Sequence, residues 1–275
     1  MPVNTVKVDA SRAAGEGLPL LWIAGPCVIE SREFLLPIAD QLAQMSADLG
    51  IPLVFKSSFD KANRSSGKSF RGPGMKAGLA ILDEVKKRTG LPVLTDFHES
   101  WQAEHVAQVC DILQVPAFLA RQTDMLEAAG KTGRVVNVKK GQFMAPSDMK
   151  NVVHKLQETG CQRILLTERG STFGYHTLVT DFRGIPQMQE YGFPVIFDAT
   201  HSVQSPGGAG DRSGGDRRMV PYLTKAAVAV GANGIFLEVH PNPDQAPSDG
   251  PNMLPLSAFP ELVKTCLRLR AALTS

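Results

Sequence analysis

The sequence predicts a (β/α)8 barrel, and three observations predict it. Eight short apolar, β-rich runs recur along the 275 residues, intervals of helix length separate them, and nearly every run ends in a residue that can ionise, bind phosphate or hold a metal. Strands alternating with helices imply parallel βα units, and eight such units in about 250 residues are what closes a barrel. Active sites of that fold sit at the C-terminal rim of the strands, so the polar residues ending the runs read as chemistry and the chain as an enzyme.

Residues 1–19 form a polar leader, expected to add a small strand or hairpin over the barrel bottom. The runs follow in order: 20–24 leads to Cys27, 52–55 to Lys56, 91–95 to Asp96, and 111–115 contains Gln114. Then 135–138 leads to Lys139 and Lys140, 163–167 to Glu168 and Arg169, 194–197 to Asp198 and His201, and 234–237 to Glu238 and His240. Helical patterns fill 34–49, 75–89, 100–109, 123–129, 147–158, 219–230 and 258–272. Ser100 and Ser147 are read as caps at helix starts, and Gly50, Gly90, Gly130, Gly160 and Gly231 as stops, because glycine alone enters the left-handed conformation cheaply. Rim loops 57–74, 170–189, 201–218 and 241–255 are long and polar, as lids and ligand-binding loops are.

A hydrophobic content of 43% supplies a full core, and barrels of this length form one domain. The formal charge of +2, with Lys and Arg scattered, excludes nucleic-acid binding as the expected role. No apolar stretch approaches the roughly 20 residues that span a bilayer, and no signal peptide precedes the barrel. A cytoplasmic protein is expected. Cys27, Cys110, Cys161 and Cys266 are far apart, which argues for reduced thiols and against a disulfide framework.

Lys56, Lys61, Arg64 and Arg71 crowd the rim after the second run, and Lys139, Lys140 and Arg169 follow two others. Cations gathered on one face repel unless anions join them, which suggests two phosphate groups, although any single lysine is more often a solvated surface charge. Cys27, His201, Glu238 and Asp249 supply one sulfur, one nitrogen and two oxygens from adjoining strands. Such a set suits Zn2+, Fe2+ or Mn2+, although a lone cysteine at a strand end is more often a packing residue. Asp96, Asp198 and Glu168 are either acid–base groups or salt-bridge partners of nearby cations. His98, His105, His154 and His176 show no convergence and receive no role.

Several stretches resemble the 3-deoxy-D-manno-octulosonate 8-phosphate synthases. They are Ala24-Gly25-Pro26-Cys27-Val28-Ile29-Glu30-Ser31, Lys61-Ala62-Asn63-Arg64-Ser65-Ser66, Phe70-Arg71-Gly72-Pro73-Gly74, Pro116-Ala117-Phe118-Leu119-Ala120-Arg121-Gln122-Thr123-Asp124, Thr167-Glu168-Arg169-Gly170 and Asp198-Ala199-Thr200-His201-Ser202-Val203-Gln204. The resemblance implies a homotetrameric barrel that condenses phosphoenolpyruvate with D-arabinose 5-phosphate in making the inner sugar of lipopolysaccharide. It implies that Lys61, Lys139 and Arg169 hold phosphoenolpyruvate, with Lys56, Gln114, Pro116, Ala117 and Gln204 beside them. Asn63, Arg64 and Ser65 would take the sugar phosphate, joined by Arg121 from a neighbouring subunit, and Lys56, Lys61, Asp96, Lys139 and Asp249 would serve catalysis. Cys after Ala-Gly-Pro marks the metal-dependent class, with Cys27, His201, Glu238 and Asp249 as ligands and no organic cofactor. The tail Ser248-Asp249-Gly250-Pro251-Asn252-Met253 departs from that class and looks more like the metal-independent one. The nearest alternative is a 3-deoxy-D-arabino-heptulosonate 7-phosphate synthase using erythrose 4-phosphate, against which the Lys-Ala-Asn-Arg-Ser-Ser loop speaks. A silent barrel that binds sugar phosphates as a sensor is the alternative outside enzymes.

Overall fold

Each predicted run becomes a strand, half of them shifted one residue toward the C-terminus. The computed structural model describes residues 2–64, 66–67, 69–207 and 214–274. The barrel strands are β1 (Leu21–Gly25), β2 (Leu53–Lys56), β3 (Val93–Asp96), β4 (Ile112–Val115), β5 (Val135–Lys139), β6 (Ile164–Glu168), β7 (Val195–Asp198) and β8 (Gly234–His240). Each pairs in parallel with the next, and β8 closes on β1 with Gly234 opposite Leu21 and Glu238 opposite Gly25. Around them run α1 (Arg32–Leu49), α2 (Met75–Thr89), α3 (Gln102–Ala107), α4 (Thr123–Lys131), α5 (Met149–Glu158), α6 (Gly184–Gln189), α7 (Val220–Val230) and α8 (Phe259–Thr274). None of the described helices is long and apolar enough to cross a membrane.

Side chains on a strand alternate between its two faces, so each barrel strand serves two environments. One set, including Trp22, Leu53, Phe55, Val93, Leu113, Val136, Leu166 and Phe197, packs outward with the buried helix faces. The other set points into the lumen: Leu21, Ile23, Val54, Leu94, Ile112, Val135, Leu165, Ile196 and Phe236 form an apolar lower layer. Two residues further along β2 to β8 the same face turns polar, placing Lys56, Asp96, Gln114, Asn137, Thr167, Asp198 and Glu238 in an upper layer, all buried, while β1 ends there at Gly25. The polar step is satisfied internally where it meets the apolar floor. Asn137 donates to Gln114 at 3.1 Å and Thr167 donates to Asn137 at 2.6 Å.

The leader behaves as expected. Val6–Lys7 pairs antiparallel with Ala13–Ala14, and Val6, Val8 and Ala14 join the lower layer from beneath, plugging the barrel bottom. Loop 170–189 is a correction: it holds an antiparallel hairpin of Ser171–Thr172 with Leu178–Val179, then the short α6, which Gly184 and Pro186 within it hide from a periodicity reading.

The expected caps need revision. At α3 Trp101, not Ser100, holds the N-cap position and no side chain caps the helix; the Gln102 side chain reaches back to accept from the amide of His98 at 2.8 Å. Before α5, Asp148 holds the N-cap position without a capping hydrogen bond to the helix; its carboxylate accepts from the amide of Ala145 at 2.9 Å, and Ser147 lies inside the 3-10 turn Pro146–Asp148. Gly50, Gly90 and Gly231 do end their helices with left-handed backbone, and Gly160 turns left-handed at φ 86° just past α5. Gly130 does not stop α4. It lies within the helix, and the left-handed residue is Gly133 at φ 69°. Gly130 is required for another reason: a Cβ there would stand 2.2 Å from the Thr159 hydroxyl, so α4 and the end of α5 approach too closely for any side chain.

That contact makes a stability prediction. Gly130→Ala should destabilise the protein by about 1–3 kcal/mol through overpacking, and adding Thr159→Ala should recover part of the loss. Urea unfolding of the two variants checks it; equal stability of Gly130→Ala and the natural chain would show that the helices yield freely.

Candidate active site and metal centre

A cavity of about 350 Å3 opens at the C-terminal rim, above the polar layer. Strand ends supply its floor with Lys56, Asp96, Gln114, Lys139, Arg169 and Glu238, and rim loops supply Lys61, Asn63, Arg64, Pro116, Ala117, His201, Gln204 and Asp249. The convergence predicted for these positions is therefore observed. Cys27 borders them at the end of β1, and Ser65 lies outside the described residues.

Charge balance explains how so many cations share this space. Lys56 donates to Glu238 at 2.7 Å and to the Cys27 carbonyl at 3.2 Å. Lys61 stands 3.6 Å from the same carboxylate. Lys139 donates to Asp198 at 2.6 Å and lies 3.7 Å from the centre of the Phe236 ring, whose face attracts a cation. Burial alone would raise the Glu238 pKa, but Lys56 and Lys61 hold it well below the usual carboxylate range. Burial acts on Asp198 in the same sense, and His201 and Lys139 overcome it. Burial also pulls Lys139 and Arg169 below their ordinary values, with Asp198 opposing the shift in both. A pocket that stabilises buried positive charge only partly has room for anionic ligand charge.

On one side of the cavity Cys27, Glu238 and Asp249 bring ligand atoms within 4.8 Å of one another, a group able to hold a metal ion. The Cys27 thiol donates to Asp249 at 3.3 Å. His201 joins them, with Nε2 3.7 Å from Glu238 and 3.9 Å from Asp249, while its Nδ1 is fixed 2.8 Å from Asp198. Orienting one imidazole nitrogen by a carboxylate so that the other faces a ligand site is how metal-binding histidines are commonly held. The fit shows in one atom: Glu238 Oε2 is buried and has no hydrogen-bond partner. Burial and the charge of Glu238 push the Cys27 thiol well up, so holding a cation there requires displacing its proton. Asp249 reaches the group from left-handed backbone at φ 52°, and its own pKa falls to about 2, burial being outweighed by His201 and Lys61.

Gln204 ties the two halves together. It accepts from Arg169 at 3.0 Å and donates to Asp249 at 3.2 Å. Arg64 is anchored across the mouth, donating to Ser248 at 2.6 Å and to the Pro247 carbonyl at 2.9 Å, so the loop after β2 is latched to the loop after β8.

Other expectations do not hold. Arg71 is exposed and pairs with Asp60, away from the cavity. Lys140 faces the opposite side of its strand and pairs with Glu168 at 3.4 Å. Arg121 is exposed and lies outside the cavity of its own chain, as a residue expected to act on a neighbouring subunit would. His98 is the residue that sequence reasoning missed: it lines the cavity, its Nε2 is 3.1 Å from Asp96, and Asp96 also accepts from Ser58. Alternation was the available signal, since Ser58 and His98 each lie two residues beyond the floor residue ending their strand.

Residues 4–274 match the family model described as the DAHP synthetase I family. Over 268 residues, covering 98% of each chain, the protein is 59% identical to a 2-dehydro-3-deoxyphosphooctonate aldolase of Cyanothece sp.. A protein of that name from Magnetococcus marinus is 57% identical over 263 residues, covering 96% of this chain and 91% of that one. Another from Desulfatibacillum aliphaticivorans is 55% identical over 269 residues, covering 98% of each.

The donor set predicts metal uptake. Protein dialysed against Zn2+ or Mn2+ should retain about one ion per chain, Cys27→Ala should lose roughly ten- to a hundredfold in affinity, and uptake should release a proton so that affinity rises with pH. Elemental analysis and competition with a chromophoric chelator measure this. Equal retention by both proteins would remove Cys27 from the ligand set.

Proposed function

The chain belongs to the DAHP synthetase I family, and from that membership we propose that it condenses phosphoenolpyruvate with D-arabinose 5-phosphate and water, giving 3-deoxy-D-manno-octulosonate 8-phosphate and inorganic phosphate. The observation that carries this reading is the joining, in one cavity, of a cation-rich floor (Lys56, Lys139, Arg169), overhung by Lys61 from the rim, with a metal-suited group at one wall and an Arg64 latch at the mouth. A small trianionic donor suits the floor, and a longer sugar phosphate suits the space from the wall to the latch. The names of the relatives support the five-carbon sugar over erythrose 4-phosphate.

In the reaction, carbon 3 of phosphoenolpyruvate attacks the sugar aldehyde and water adds at carbon 2. The hemiketal phosphate so formed loses phosphate by carbon–oxygen cleavage. Lys139 and Arg169 offset the carboxylate and phosphate charge of the donor, and Lys61 reaches it from the rim. Asn63 and Arg64, with Ser65 of the same motif, bind the sugar phosphate, while Gln114, Pro116, Ala117 and Gln204 shape the space around the donor. In this reading Asp249 relays a proton at the reacting water, and Asp96, held by Ser58 and His98, serves the aldehyde. A divalent transition metal held by Cys27, His201, Glu238 and Asp249 supplies Lewis acidity that orients aldehyde and water when bound. No organic cofactor enters the scheme. The enzyme acts as a cytoplasmic homotetramer in lipopolysaccharide sugar synthesis, with Arg121 of a neighbouring copy completing the sugar-phosphate pocket.

Turnover with phosphoenolpyruvate and each aldose phosphate, followed by phosphate release, tests the reading. Arabinose 5-phosphate should be the better substrate, and a preference for erythrose 4-phosphate would reverse the assignment. Arg64→Ala should raise KM for arabinose 5-phosphate roughly ten- to a hundredfold, the loss of about 1.5–3 kcal/mol of charge-assisted hydrogen bonding, while KM for phosphoenolpyruvate moves little. Equal shifts in both would place Arg64 with the other substrate.

A further inference from the structure

Lys140 and Glu168 form a buried ion pair that the proposed reaction does not use. Lys140 is wholly buried and Glu168 is 2% exposed. The ammonium of Lys140 donates to the Gly170 carbonyl at 3.1 Å, the Ser171 hydroxyl at 3.0 Å and the Met144 carbonyl at 3.3 Å, and approaches the Gly141 carbonyl at 3.5 Å. Glu168, 3.4 Å from that ammonium, accepts from the amides of Arg169 at 2.9 Å and Gly170 at 2.6 Å. The carboxylate is walled in: a Cβ on Gly184 at the start of α6 would stand 3.0 Å from Glu168 Oε2 and 3.1 Å from Pro146.

A buried pair of this kind costs several kcal/mol in desolvation per ion, and apolar residues of similar volume often stabilise a core equally well. Its contacts show what else it does. Lys140 follows Lys139 in the chain, and Glu168 precedes Arg169, so each member of the pair adjoins a residue whose cationic head faces the cavity. The pair joins the loops after β5 and β6 by their backbone groups, and two of the amides it fixes belong to Arg169 and its successor. The guanidinium of Arg169 has Gln204 as its hydrogen-bond partner, so the direction of that side chain depends on where its backbone is held.

We propose that Lys140 and Glu168 are positioning residues that set the spacing between the Lys139 ammonium and the Arg169 guanidinium, and thereby the affinity for the anionic donor substrate. This rests on phosphoenolpyruvate being that donor. Misplacement of a binding group by about 1 Å is enough to cost roughly a hundredfold in rate, so a shifted loop matters even with every cavity residue intact.

The test compares the natural chain with Lys140→Met and with Lys140→Met/Glu168→Gln, measuring thermal stability, KM for both substrates, and the Kd of phosphoenolpyruvate alone by calorimetry. Lys140→Met leaves Glu168 as an unpaired buried charge and should lower stability. It should also raise KM and Kd for phosphoenolpyruvate about ten- to a hundredfold, with KM for arabinose 5-phosphate changing less than about twofold. The double variant has no unpaired charge and should regain stability while keeping the weakened donor binding. Donor affinity that recovers together with stability would reduce the pair to a structural role and overturn the proposal. Unchanged donor affinity in Lys140→Met, or equal shifts for both substrates, would overturn it too. Failure of the natural chain to turn over arabinose 5-phosphate would instead count against the assigned reaction, because calorimetry with phosphoenolpyruvate alone reads the positioning effect without turnover.

Discussion

Two carboxylates with no exposure to water, Glu238 and Asp198, make the rest of the site possible. Lys56, Lys61 and Lys139 cannot be brought to one barrel mouth in low dielectric without them, because unscreened ammonium groups at such distances repel by several kcal/mol. Each carboxylate does more than cancel charge. Asp198 spans Lys139 and His201, and it accepts from the amides of Thr200 and His201 at 3.2 and 3.0 Å, so one residue sets both an anion-binding head and an imidazole. Glu238 divides its oxygens, one toward Lys56 and the other without a hydrogen-bond partner beside Cys27, Asp249 and His201.

The barrel accommodates this charge by separating it along the strand axis. Phe236 lies in the apolar lower layer, Glu238 follows two residues later in the upper one, and the pattern repeats around the lumen. Dispersion and burial stabilise the lower layer, while the upper one is held by pairing and hydrogen bonds. Phe236 touches both regimes, since the ring that packs with the floor also presents its face to Lys139. Stability and chemistry therefore draw on successive inward positions of the same strands.

Much of this was legible in the sequence because a parallel barrel uses a simple code: an apolar run, then a chemical residue, then a helix. Cys27, Lys56, Asp96, Lys139, Arg169 and Glu238 all follow it. Arg64 and Asp249 are found through the charge and donor types gathered at the rim, whereas Gln204 and Asn63 are found through resemblance of motifs, since loop residues carry no periodicity. His98 stands alone in sequence, and the fold gives it Asp96 and the Phe59 ring as neighbours. The role of Gly130 was misread for a related reason. A helix stop and a close helix crossing both call for glycine, and they differ only in what lies opposite, here the hydroxyl of Thr159. Lys140 looked equivalent to Lys139 until strand alternation turned it away from the lumen.

The hairpin of Val6–Lys7 and Ala13–Ala14 fills the lower end of the barrel, so among the described residues the lumen opens at the rim. In a vessel with one opening, traffic has an order. A molecule seated on the floor at Lys139 and Arg169 must enter before anything that spans the wall and the Arg64 latch, and a fragment released on that floor waits behind whatever lies above it. The leader segment packs at the end away from the rim, yet by closing that end it turns the depth of each subsite into a sequence of arrivals and departures.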